Sequence, residues 1–221
     1  MKVALFDFDG TLYPYETFNI LMERLKRHPR YKRNYKRFVR KFAPIYFFYK
    51  LKLVNKATMQ SKAMEYYILS FKKNSRREIE SFFNEVAGDM IDDLREPLIR
   101  KIKQLKRDNY YVMLISGAFI PLLEAIFQGY DIDCIVGSKI NYVGERLDYK
   151  SRFERVYADR KIDIIRQHFS GKEVDWKNSE AYSDSYADLK MLELVGKPVA
   201  VKPDERLMAI ASRKQWQIHT D

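Results

Sequence analysis

Short continuous apolar runs alternate along this chain with segments of helical periodicity, and this alternation is its strongest architectural constraint. Residues 3–6, 110–115, 134–137 and 198–201 are runs without a polar face, and a further run ends at Ala181-Tyr182-Ser183. Such runs suit strands buried on both faces. Between them, residues 97–107, 121–127, 159–169, 189–195 and 205–214 repeat their apolar positions at helical spacing. Strands separated by helices predict an α/β fold, a Rossmann-like parallel sheet with helices on both faces. Residues 139–149, with Val143-Gly144-Glu145 in the middle, predict a small hairpin.

One long segment departs from this rhythm. Residues 17–93 contain only Pro29, Pro44 and Gly88 as strong breakers and predict several helices inserted after the first strand. Phe18, Leu21, Met22 and Leu25 form one apolar stripe, and Met64, Tyr67, Ile68 and Phe71 another. Ser75, with Glu78 three residues later, predicts the start of a further helix through a capping box. Bases crowd this segment from Arg24 to Lys62, and that span holds no Asp or Glu.

The 221 residues suit one large domain, or one domain carrying a smaller insert. A hydrophobic content of 46% supplies a core and argues against disorder. The single cysteine, Cys134, cannot form an intramolecular disulfide, so nothing requires an oxidising compartment. The first apolar run is broken at once by Asp7 and Asp9, so no signal peptide is expected from it. No apolar stretch reaches the roughly 20 residues of a spanning helix, so a cytoplasmic protein without a transmembrane segment is expected. The net charge of +11 admits nucleic acid, an anionic membrane surface or anionic small molecules as partners.

Four clusters carry chemistry. Asp7 and Asp9, followed by Gly10 and Thr11, stand directly after the first strand, where ligands bind in open α/β sheets. One carboxylate of such a pair can attack while the other donates and then accepts a proton. An Asp-Gly turn is the bland alternative. Ser116 and Gly117 end the second strand, and a hydroxyl with backbone N–H groups at a helix N-terminus makes a phosphate cradle; otherwise Ser116 merely caps the next helix. Lys161, with Lys150 as competitor, can neutralise a transferring phosphoryl group. Asp184 and Asp188, four apart at a loop–helix junction, can meet a hard cation, or serve as an N-cap and a first-turn acid. Each cluster alone is weak. Together they supply the positioning, charge neutralisation and in-line nucleophile that phosphoryl transfer needs.

In this combination the sequence resembles the haloacid dehalogenase superfamily of phosphohydrolases. Asp7-x-Asp9-Gly10-Thr11 matches the first motif of that family, Ser116 the second, Lys161 the third and Asp184-x-x-x-Asp188 the fourth. The order and spacing resemble the branch of phosphoserine phosphatase, and the resemblance covers essentially the whole chain. It implies a catalytic core of residues 1–15 and 94–221 and a helical cap of residues 16–93. It implies Asp7 as nucleophile and Mg2+ ligand, and Asp9 as general acid, then base, with its backbone carbonyl on the metal. Thr11, Ser116 and Gly117 would hold phosphate oxygens, and Lys161 would bridge Asp7 and the phosphoryl group. Asp184 would ligate Mg2+, with Asp188 supporting it there or orienting Lys161. Glu16 sits where relatives carry an acid facing a substrate amine. Ser185-Tyr186-Ala187 departs from the Gly-Ala-Asn run of phosphoserine phosphatases, and no cap arginine is placed to read a substrate carboxylate.

The expected activity is hydrolysis of a small phosphorylated metabolite. The basic, aromatic segment either attracts an anionic or lipid-headgroup substrate, with residues 42–49 meeting an apolar tail or membrane, or is a solvated face over a packed core. A phosphotransferase remains an alternative, because water can be replaced as acceptor. The catalytic set argues against a nucleic-acid or membrane-surface binder as the sole function. Asp9 and the insert disfavour a phospho-acceptor signalling domain.

Overall fold

The computed structural model describes residues 1–220. Strand β1 (Lys2–Phe6) is followed by four helices, α1 (Thr17–Arg27), α2 (Lys32–Lys50), α3 (Lys56–Leu69) and α4 (Arg76–Gly88). Helix α5 (Glu96–Arg107) leads into β2 (Tyr110–Phe119), α6 (Ile120–Ile126) and β3 (Cys134–Ser138). A hairpin of β4 (Tyr142–Val143) and β5 (Arg146–Leu147) precedes α7 (Asp159–His168) and β6 (Glu180–Ser183). The chain closes with α8 (Leu189–Leu192), β7 (Lys197–Val201), α9 (Glu205–Arg213) and β8 (Gln217–His219).

Six strands form one sheet in the order β3-β2-β1-β6-β7-β8. All of its pairings are parallel, as continuous apolar strands require. Within β1, Ala4 and Phe6 face one side and Val3 and Leu5 the other, so one strand feeds two cores. Val3 and Leu5 join Ile162 and Ile165 of α7, Met191 of α8 and Leu207 of α9. Phe6 joins residues of α5 and α6, and that core continues into the helical segment through Phe38, Tyr67, Phe71, Phe82 and Phe83.

The capping box appears as expected: Ser75 caps α4 reciprocally with Glu78. Three features differ from the sequence-based reading. Pro44 lies inside α2 instead of ending it. Pro44 and Arg40 are both exposed, so the Arg40 carbonyl that loses its N–H partner faces solvent. Helix α8 stops at Leu192, and Gly196 explains the early stop. A Cβ there would lie 2.0 Å from the Lys177 carbonyl oxygen, so the chain must leave the helix to pass Lys177 closely. The edge strand β8 has too little apolar pattern to be visible, and its pairing with β7 creates it.

Candidate active site

Three neighbouring strands, β2, β1 and β6, end on one edge of the sheet, and their carboxyl ends carry Ser116, Asp7 and Asp184. The Asp7 N–H extends the ladder by donating to the Tyr182 carbonyl at 3.0 Å. The chain then turns. Thr11 N–H and Tyr13 N–H both donate to the Phe8 carbonyl, and Gly10 takes a left-handed φ of +76°. A Cβ at Gly10 would lie 2.2 Å from Asp184 Oδ2, so only glycine lets this turn and Asp184 share the space.

Lys161 stands in the first turn of α7 and reaches the sheet edge. Its Nζ donates to Asp7 Oδ1 and to Asp188 Oδ2, each at 2.7 Å. Ser183 Oγ also donates to Asp188 Oδ2, at 2.8 Å. Asp188 is thus held by an ammonium and a hydroxyl, and of its two implied roles this geometry favours the orientation of Lys161. Lys150, the competitor, is exposed on the loop after the hairpin, where its N–H donates to Asp148.

Asp7, Lys161 and Asp188 are all buried. Burial raises the Asp7 pKa well above its ordinary value; Lys161 opposes this, while Asp188 and Asp184 add to it. Burial likewise pushes Asp184 up to about 7, with Asp188 contributing. For Lys161, burial acts downward, but Asp188 and Asp7 outweigh it and hold the ammonium above its usual range. Asp7 and Asp188 share the Lys161 ammonium, and Asp184 and Asp188 each push the Asp7 pKa further up, a mutual repulsion that a cation would relieve.

The donors suit a hard cation. All are oxygens: the Asp7 and Asp184 carboxylates and the backbone carbonyl of Asp9. Among the described residues no group of three His, Cys, Asp or Glu side chains forms a dedicated metal cage. Mg2+ does not need one, since it keeps several waters and takes one or two carboxylates together with substrate phosphate. Thr11 Oγ1 donates to Asp184 Oδ1 at 3.3 Å and so helps to position this carboxylate.

Asp9 turns away from Asp7 toward the helical segment. Thr17 N–H, at the start of α1, donates to Asp9 Oδ1 at 2.9 Å, and Thr17 Oγ1 donates to the same oxygen. Burial pushes Asp9 up to about 6, against these two hydrogen bonds. Thr17 is a site residue that sequence reasoning missed, because its position eight residues downstream signals nothing until α1 folds over the turn.

Ser116 lies within β2 and not at a helix N-terminus, which corrects its reading as the cap of the next helix. Helix α6 begins at Ile120 after Phe119, with no side-chain cap. The Ser116 hydroxyl instead accepts from Ala118 N–H at 3.1 Å, beside a break in the β2–β3 register. The cap reading of Asp184 also fails: Ser185 caps the short turn that follows, accepting from Ala187 N–H.

A cavity of about 350 Å³ adjoins this edge, lined by Asp9, Glu16, Thr17 and Gly117, and by Arg155 from the loop before α7. Arg155 is the second residue that the sequence did not single out, one guanidinium in a chain with 41 Lys and Arg. Its Nη1 donates to Gln60 of α3 at 3.0 Å, and the guanidinium packs over Tyr157. Its buried Nε has no hydrogen-bond partner among the described residues. A Cβ at Gly117 would lie 3.4 Å from that Nε and 3.1 Å from the Val156 carbonyl oxygen, so Gly117 admits both arginine and backbone. Ser138 Oγ donates to the Gly117 carbonyl and accepts from Val156 N–H, fixing the two strands of chain together.

The family description of haloacid dehalogenase-like hydrolase matches residues 4–193, most of the chain. The chain belongs to the haloacid dehalogenase-like hydrolases. Within this family it is 29% identical over 140 residues to a phosphoserine phosphatase of Mycobacterium tuberculosis, covering 63% of this chain and 44% of that one. The chain spans about half the length of the first curated relatives it matches. Its fold matches a protein of unknown function from Bordetella pertussis Tohama I, with a TM-score of 0.79 at 19% identity over 99% and 98% of the two chains. It also matches a phospho-aspartyl intermediate analogue of phosphoserine phosphatase, with a TM-score of 0.65 at 18% identity over 99% and 92%. The hydrolase family and its phosphoserine phosphatase-like α/β fold are thus shown by sequence and by shape.

Proposed function

We propose that this hydrolase is a Mg2+-dependent phosphatase that cleaves a phosphomonoester through an aspartyl-phosphate on Asp7. The observation that carries this reading is the buried Asp7–Lys161–Asp188 chain at the sheet edge, with Asp184 and Asp9 on either side.

In the first step an Asp7 carboxylate oxygen attacks phosphorus in line. The bond from phosphorus to the substrate oxygen breaks, its electron pair leaves with that oxygen, and Asp9 supplies the proton. In the second step the Asp9 carboxylate accepts a proton from water as that water attacks phosphorus. The bond from phosphorus to Asp7 breaks, phosphate leaves and the Asp7 carboxylate returns. A carboxyl pushed up to about 6 suits this double task better than an ordinary aspartate, because its pKa lies nearer neutrality. Thr17 holds it to one oxygen, leaving the other for the proton. Lys161 neutralises charge beside Asp7, and Ser116 with the Gly117 N–H offers donors to phosphate oxygens. Asp7, Asp184 and the Asp9 carbonyl would hold Mg2+, which supplies further charge neutralisation on the transferring group. Helices α1–α4 act as a cap over this edge, with Glu16 and Arg155 facing the part of the substrate beyond its phosphate.

Hydrolysis of para-nitrophenyl phosphate is expected to require Mg2+ and to stop on chelation. Because Asp184 is pushed up to about 7, protons compete with the metal, and apparent Mg2+ affinity should fall by about tenfold per pH unit below that value. Thermal shift with Mg2+ titrated at several pH values reads this without turnover. Turnover unaffected by chelation would exclude the metal role.

A further inference from the structure

The helical segment has a packed aromatic core, yet one end of it is turned outward. At the C-terminal end of α2, Tyr46, Phe47 and Phe48 are exposed, and Leu51 and Leu53 follow in the closing turn at 53% and 70% exposure. This turn is built, not loose: Leu51 N–H donates to the Phe47 carbonyl and Leu53 N–H to the Phe48 carbonyl, with Lys52 in a left-handed conformation. Scattered apolar side chains on a surface need no explanation, but five within eight residues on one helix end do.

Two further observations say what covers them. The first is charge. Arg40, Lys41, Lys50, Lys52 and Lys56 surround the tip and are exposed, and no acid occurs between Arg24 and Lys62. An apolar tip within a basic, acid-free collar complements an anionic bilayer, where aromatic and leucine side chains enter the acyl boundary and lysines meet headgroups. The second is continuity with the cavity. Tyr46 and Lys56 belong to the exposed tip and also line the cavity that contains Asp9 and Arg155. The same lining includes the apolar Phe42, Met59 and Phe119 beside the polar Asn19 and Gln60.

We propose that the tip of α2 and its closing turn is a docking surface for an anionic bilayer, and that the substrate is a lipid phosphomonoester taken from that bilayer. Its phosphate lies at the sheet edge, and its apolar body leaves past Phe42, Met59 and Tyr46. The substrate half of this assignment rests on the phosphatase reading above; the docking half rests on the tip alone.

The test uses the full chain in vesicle flotation and in turnover. Vesicles of phosphatidylcholine alone are compared with vesicles that also carry phosphatidylglycerol, at low and moderate salt. Two variants accompany the wild type: Phe47→Ser with Leu53→Ser, and Lys50→Glu with Lys52→Glu. The wild type is expected to float with the anionic vesicles and to release them as salt rises. Each variant should lose about tenfold in vesicle binding. Both should hydrolyse para-nitrophenyl phosphate at the wild-type rate, while hydrolysis of dioleoyl phosphatidic acid in anionic vesicles falls with their binding. Wild-type protein that hydrolyses para-nitrophenyl phosphate but ignores anionic vesicles would overturn the docking surface and leave the phosphatase reading standing. So would a tip that self-associates in sedimentation without binding vesicles. Vesicle binding by folded protein that hydrolyses neither substrate would uphold the docking surface and overturn the phosphatase reading.

Discussion

Replacing Lys161 by alanine is expected to destabilise the folded chain by about 3–5 kcal/mol near neutral pH, because it leaves buried carboxylates without their cation. Lys161 Nζ is 2.7 Å from both Asp7 and Asp188, and all three side chains are buried. The pH dependence of this loss has a definite sign. In the folded wild type the ammonium is held above its usual range, so Lys161 itself stays protonated across neutral and acid pH and loses its proton only in strong alkali. The carboxylates behave oppositely. Asp7 and Asp184 already have raised values in the folded state, so folding favours their protonated forms, and stability falls as pH rises from the ordinary aspartate range through about 7. Removing Lys161 exposes this slope. Urea unfolding of Lys161→Ala should therefore show a smaller deficit at pH 5 than at pH 8, and Mg2+ should recover part of it at pH 8. A deficit independent of both pH and Mg2+ would mean that the lost side chain matters only for packing.

Replacing Asp7 by asparagine should have the largest catalytic effect, lowering kcat on para-nitrophenyl phosphate by about ten-thousand-fold. An amide oxygen is a far poorer nucleophile, while the shape of the site is kept. Lys161 retains Asp188 as a partner, and the variant loses a carboxylate whose ionised form burial disfavours. Its melting temperature should stay within a few degrees of wild type, which separates chemistry from folding. Wild-type turnover in Asp7→Asn would remove Asp7 as nucleophile.

The strands at the centre of the sheet were legible because burial on both faces leaves an uninterrupted apolar run. Asp7, Ser116 and Asp184 were legible because each follows such a run directly. Their meeting on β1, β2 and β6 is what a parallel sheet does with strand ends. The capping box at Ser75 was legible because it is local chemistry. What was hidden depends on tertiary contact. Thr17 acquires meaning only when α1 lies over the turn that carries Asp9. Arg155 acquires it only when Gln60 of α3, Tyr157 and the space left at Gly117 hold its guanidinium beside the cavity. The apolar run ending at Ile115 suggests that Ser116 opens the following helix, but the strand continues to Phe119. For residues 42–49 two readings were open, and the exposure of Tyr46, Phe47 and Phe48 removes the one in which all these aromatics pack inward.

The central claim is the covalent intermediate, and trapping it is the most direct test. The Asp9→Asn variant keeps Asp7 and Lys161 but lacks the base that activates water. Because para-nitrophenolate is a good leaving group that needs little protonation, phosphorylation of this variant should outrun dephosphorylation. Acid-quenched protein from such a reaction, digested and examined by mass spectrometry, should carry a phosphoryl group on Asp7 that hydroxylamine removes. Turnover by wild type with no phosphoryl group on Asp7 in the variant, or with the group on another residue, would contradict the account.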